Sequence, residues 1–190
     1  MKNKIKIFLA LVFLSSCGDI ELEFPQPTYL KNLDKIPSNF HGSFERIGYV
    51  GTVSSHKHDT IKYNICEKYC LIDSDTLIVG SENLIIKHQG NKLFVNLKRD
   101  NAKYYNLYVL SRFNYFDSDS LLINRLIIDK LDHHYSNSED IALKYLLLNK
   151  ISVFDADSSI DGVISDTLSV NQINTLLNWT SYSERLKFNK

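Results

Sequence analysis

The stretch Lys92 to Lys98 limits the fold most. Leu93, Val95 and Leu97 alternate with polar or aromatic neighbours. A period of two lines one face of a strand and cannot line one face of a helix. His88-Gln89-Gly90-Asn91 precedes it and reads as a hairpin turn from another apolar run. Similar runs occur at Phe40 to Val50, Thr60 to Cys66, Thr76 to Lys87, Tyr104 to Ser111 and Leu121 to Ile128. Asp117-Ser118-Asp119 supplies a turn between the last two. Six short strands joined by polar turns predict a mainly β (α+β) domain. Its sheet is an antiparallel meander, open or rolled into a partly closed barrel.

The last third changes character. Ser138 to Asn149 predicts a helix, with Ile141, Tyr145 and Leu148 on one face. Strands are expected at Ile151 to Phe154 and Gly162 to Asp166. Ser169-Val170-Asn171-Gln172 is a capping box ahead of Ile173, Leu176 and Leu177, so a second short helix follows, packed by Trp179. The tail "SERLKFNK" predicts an edge strand guarded by Lys187 and Lys190. The many Tyr and Phe, 11 and 10, against 3 Pro and 7 Gly argue for a packed β domain over disorder.

The N-terminus has a basic head, Lys2, Lys4 and Lys6, then an apolar run to Leu14. The run has the length of a signal-peptide core and falls short of the ~20 residues that span a bilayer. Leu14-Ser15-Ser16-Cys17 follows and resembles the bacterial lipobox. That resemblance implies a signal peptide over 1–16 and a lipidated Cys17 as the first mature residue. Two acyl chains suffice for stable anchoring. Without the leader, 19 basic residues face 22 acidic ones, a net charge of −3. No basic patch argues for nucleic acid.

Residues 17–35 read as the lipidated N-terminus and a tether stiffened by Pro25 and Pro27, and 36–190 as a single β-rich domain. Asp19, Glu21 and Glu23 resemble the surface-export signals of lipoproteins in Bacteroidetes-type bacteria, and a solvated spacer explains them equally. "IPSNFHGSF", "DTLIV", "GNKLFVNL", "YYNLYVL" and "YSERLKF" resemble a group of small uncharacterised lipoproteins of such bacteria. The resemblance implies an outer-membrane location, facing the periplasm or the cell surface, and carries no activity. Gly42-Ser43-Phe44 resembles the Gly-x-Trp of lipocalins, with Phe in place of Trp.

Four segments fit Asp-[Ser/Thr]-aliphatic, at Asp59-Thr60-Ile61, Asp75-Thr76-Leu77, Asp119-Ser120-Leu121 and Asp166-Thr167-Leu168. Composition alone would give about one. The pattern resembles the O-glycosylation sequon of Bacteroidetes-type bacteria, which implies Thr60, Thr76, Ser120 and Thr167 as acceptors. Turn-to-strand chemistry accounts for the same positions. Cys66 and Cys70 can pair in an oxidising compartment if Glu67-Lys68-Tyr69 is a three-residue turn; a metal pair or two free thiols are the alternatives.

His56 and His58, two apart, could grip one metal ion if they lie on a strand, and a polar surface loop is the competing reading. Asp155 to Ser159 resembles the start of a calcium loop, but Ile160 stands where such a loop needs Gly. Ser54-Ser55-His56-Lys57 matches Ser-x-x-Lys without its companion motifs. No catalytic constellation or cofactor motif emerges.

Three functions fit. The first is a non-enzymatic, lipid-anchored binding or structural module of the envelope, presented to a protein, glycan or small ligand. The second is a metal-binding protein or enzyme using His56 and His58. The third is a lipocalin-like carrier of a small apolar ligand.

Overall fold

The computed structural model describes residues 20–50, 61–73, 75–98, 102–115, 118–126, 145–146, 148–156 and 160–188. The fold is mainly β. Its strands are β1 (Ile20–Leu22), β2 (Gly42–Val50), β3 (Lys62–Ile65), β4 (Tyr69–Ile72), β5 (Asp75–Ile78), β6 (Leu84–Gln89), β7 (Lys92–Leu97), β8 (Asn106–Tyr115), β9 (Ser118–Leu126), β10 (Val153–Ala156), β11 (Ile160–Ile164) and β12 (Ser181–Phe188). An α-helix, α1 (Val170–Thr180), precedes β12.

Nine strands form one antiparallel sheet in the order β5-β4-β3-β2-β12-β9-β8-β7-β6. The two strands that end this order, β5 and β6, are neighbours in sequence. A turn at Val79 to Asn83 joins them, so the sheet curls into a nearly closed barrel. Gly80 takes φ +80° in this turn, where a side chain would be strained. The run Thr76 to Lys87, expected as one strand, therefore breaks into two.

Alternation assigns the faces. Leu84, Ile86, Leu93, Leu110 and Leu121 join Phe44 and Leu186 in the barrel's inner cluster. Phe94, Leu107, Val109 and Leu126 belong to a second cluster on the outer side. Ile173, Leu176 and Leu177 of α1 cover it, with Leu22, Ile164 and Leu168. Strand β7 was expected to bury one face and buries both, because a helix and a small sheet back it. The small sheet has the order β1-β11-β10, with β1 parallel to β11. Backbone bonds of 2.8 Å in both directions between Leu22 and Tyr105 join it to the barrel wall.

Several expectations change here. The segment 17–35, expected as a tether, is part of the packed domain from Ile20 on. Leu22 and Gln26 are fully buried. The Gln26 backbone bonds Asn96 twice, its N–H to Oδ1 at 2.7 Å and its carbonyl from Nδ2 at 2.9 Å. Its side chain donates to the Asp166 carbonyl and accepts from the Leu168 N–H. The tail strand β12 sits fifth of nine, between β2 and β9, and not at an edge. Its lysine lies on the outer face; hydropathy alternation reports faces and is blind to edges. Ser118 and Asp119 belong to β9 and not to a turn.

Tyr145, Leu146 and Leu148 are helical, while the rest of the predicted Ser138–Asn149 helix, except Asn149, lies outside the described residues. The capping box forms as expected, Ser169 N–H to Gln172 Oε1 at 2.8 Å and Gln172 N–H to Ser169 Oγ at 3.2 Å. Trp179 lies in α1, and its side chain is outside the description. Among the described residues, no helix is long and apolar enough to cross a membrane.

Gly42-Ser43-Phe44 has a packing role. Gly42 takes φ +146°, and a Cβ there would lie 2.3 Å from the Phe188 ring. Phe44 meets the same ring edge-on, with centroids 5.4 Å apart. The glycine lets β2 and β12 close over that ring pair.

Candidate functional site

The barrel encloses a cavity of about 280 Å³. A barrel of about this strand number has an interior that side chains fill or that holds one small ligand. One wall comes from β3 to β5 through Tyr63, Ile65, Cys70, Ile72 and Leu77. The other comes from β6 to β9 through Leu84, Ile86, Leu93, Val95, Leu97, Tyr108, Leu110 and Ile123.

A strap closes one end. The Leu33 N–H donates to the Ile86 carbonyl at 2.8 Å on the β6 edge. Three residues on, the Ile36 N–H donates to the Glu67 carbonyl at 2.7 Å in the β3–β4 turn. The strap thus spans the seam where the sheet does not close on itself. Ile36 lines the cavity, and a 3-10 turn at Ser38–Phe40 drives Phe40 into the inner core. The Phe40 ring stands edge-on to His88, centroids 5.9 Å apart. Outside, Lys35 Nζ and Glu67 Oε1 pair at 3.0 Å, and this partner holds the Glu67 carboxyl below its usual range.

One part of the lining is polar. Tyr108 pairs in register with Arg125, and both line the cavity. The Arg125 guanidinium stacks 5.5 Å from the Tyr108 ring centre, and its Nη2 donates to Asn106 Oδ1 at 3.0 Å. Asn106 Nδ2 in turn donates to Glu21 Oε1 at 3.4 Å. Sequence reasoning passed over Arg125. A signal was present, because Leu121, Ile123 and Arg125 share one phase of β9, placing a cation on the apolar face.

Cys66 and Cys70 are both free thiols, one of the three alternatives left open for them. The Cys66 N–H donates to the Tyr69 carbonyl at 2.9 Å, so the turn holds two residues, Glu67 and Lys68, and not three. Cys70 then pairs with Ile65, one step from Cys66. A one-residue slip puts the thiols on opposite faces. Cys70 faces the cavity, and burial, followed by the nearby Cys66, pushes its thiol up to about 12. It stays a neutral apolar surface at neutral pH.

Cys17, His56, His58 and Thr60 lie outside the described residues. Of the remaining histidines, His41 Nε2 lies 2.8 Å from the Ile36 carbonyl. Among the described residues, no three of His, Cys, Asp and Glu converge as a metal site. Of the glycosylation candidates, Thr76 is exposed on β5 and Thr167 is exposed with its hydroxyl bonded to Thr28 at 3.0 Å. Ser120 is only 1% exposed within β9, beyond the reach of a transferase on the folded chain.

A second hollow lies outside the barrel, between Phe24, Thr28, Leu30 and Asp34 of the N-terminal segment and Lys87 of β6. Lys87 is buried, its Nζ donates to the Pro27 carbonyl at 2.8 Å, and burial lowers its ammonium from the usual lysine range. No protein family matches the chain, and neither does a curated protein or a solved structure.

Proposed function

We propose that this is a lipid-anchored envelope protein whose barrel binds a small apolar ligand, without catalysing its conversion. The apolar cavity carries the reading. It is close to the ~300 Å³ lower limit of small-ligand sites and is lined as they are, by aliphatic and aromatic side chains with few polar groups. The leader and the Cys17 lipobox support the anchor, which would hold the barrel at the outer membrane.

Two experiments test it. A fluorescent apolar probe titrated into the purified full chain binds saturably at one site. Val95→Trp, which fills the cavity, abolishes the signal, and the milder Cys70→Leu weakens it. A linear, unsaturable response unaffected by either substitution rejects the binding site. In a bacterial host, labelled palmitate enters the wild-type chain and Cys17→Ala moves it from membrane to soluble fraction; equal fractionation rejects the anchor.

A further inference from the structure

The polar part of the lining narrows the ligand's chemistry, and this step rests on the barrel being a binding site. Among the described lining residues, Arg125 carries the one charged side chain. Cys70 adds no charge at neutral pH. Asn106 separates the guanidinium from the Glu21 carboxylate, accepting from Arg125 and donating to Glu21. That relay, with Tyr108 against the guanidinium face, fixes the fork in place. A guanidinium carries five N–H donors in a plane and matches a carboxylate with two parallel bonds. A phosphate monoester would bring a second negative charge that one guanidinium does not balance.

Elsewhere in the lining, Ile36, Leu93 and Leu110 offer only apolar surface. The volume of about 280 Å³ accommodates roughly nine carbon-sized groups, if each takes ~30 Å³, the share of a water molecule in its liquid.

We infer that the cavity takes a medium-chain aliphatic carboxylate, its head on Arg125 and its tail against the aliphatic lining. Arg125 is the specificity-determining residue, and Asn106 positions it.

The test is calorimetric titration of the full chain at neutral pH with decanoate, decanol, decyl phosphate and decyltrimethylammonium. Decanoate binds roughly tenfold or more tighter than decanol, the gain expected of a charge-assisted pair. Decyl phosphate binds more weakly than decanoate, and the cation shows no binding. Arg125→Gln lowers decanoate affinity to that of decanol and leaves decanol unchanged.

Equal affinity for decanoate and decanol overturns the head-group assignment while leaving the binding site standing. So does tighter binding of the phosphate, or an equal loss of both ligands in Arg125→Gln. If no ligand binds and Val95→Trp changes nothing, the binding site itself is refuted. The wild-type ratio of decanoate to decanol decides the assignment even if Arg125→Gln does not fold.

Discussion

The two walls of the cavity are built differently. The β6–β9 wall is a middle layer, with the barrel interior on one side and α1 with the small sheet on the other. Phe94, Leu107 and Val109 are at most 1% exposed on its outer face. Among the described residues, the β3–β5 wall is a single layer. On its outer face, Tyr69 and Ile78 pair across the strands at 40% and 60% exposure. Both walls give aliphatic surface to the same cavity, but among the described residues only one has structure behind it. Local opening follows the density of buried contacts, so the single layer opens first. The fixed wall holds Arg125, and the thin wall is the one the proposed ligand would displace to enter.

The comparison breaks most sharply under truncation. Phe94→Ala removes a ring buried between β7 and the covering helix and costs about 3–5 kcal/mol. Leu77→Ala, half-buried on a β5 whose other residues are exposed, costs less than about 2 kcal/mol, because water and the thin wall relax into the space. Chemical denaturation of the two variants measures the gap. Equal costs would mean that the walls are equally supported. Hydrogen exchange sharpens the same point: amides of β4 and β5 exchange ahead of those of β7 and β8, and an apolar ligand slows the first pair more.

Gly42→Ala ranks next. The new methyl meets the Phe188 ring where β2 and β12 close, and the backbone there disfavours any side chain. A loss of about 1–3 kcal/mol is expected, as for other overpacked sites. Ser169→Ala is smaller, about 1 kcal/mol, the ordinary worth of a helix cap. It loosens α1, which backs the thick wall, so it raises exchange in β7–β9 and leaves β4–β5 unchanged. A change confined to the thin wall would reverse this assignment.

Much of this architecture was legible in the sequence, for local reasons. Strand periodicity, the turn after His88 and the Ser169 capping box depend on neighbours within a few residues, and each gave its element. The middle position of β12 depends on partners over 50 and over 130 residues away in sequence, Leu121 and Arg46 among them, and hydropathy does not encode partners. The N-terminal segment looked like a spacer because prolines stiffen a linker and carboxylates are solvated. Its place in the fold comes from Gln26, whose backbone bonds the Asn96 side chain twice and whose side-chain amide bonds the Asp166 carbonyl and the Leu168 N–H. The cysteine pairing turned on a single residue of turn length. Arg125 was in phase with an apolar face, but the cavity that gives this meaning exists only once nine strands curl.

The smallest expected effect concerns how the N-terminal segment is held on the thick wall. Lys87 is buried under that segment, and burial lowers its ammonium pKa in the folded chain. Between the folded and unfolded values, the unfolded chain binds more protons at this site than the folded one. Stability therefore gains a rising contribution as pH climbs through that window. Lys87→Met removes the contribution, and its denaturation midpoint rises less steeply with pH than the wild type's. The neutral side chain also loses the bond to the Pro27 carbonyl, so the segment loosens while the β3–β5 wall does not change. Exchange data that loosen β4 and β5 instead would show that the two walls share one cooperative unit, and the comparison would fall.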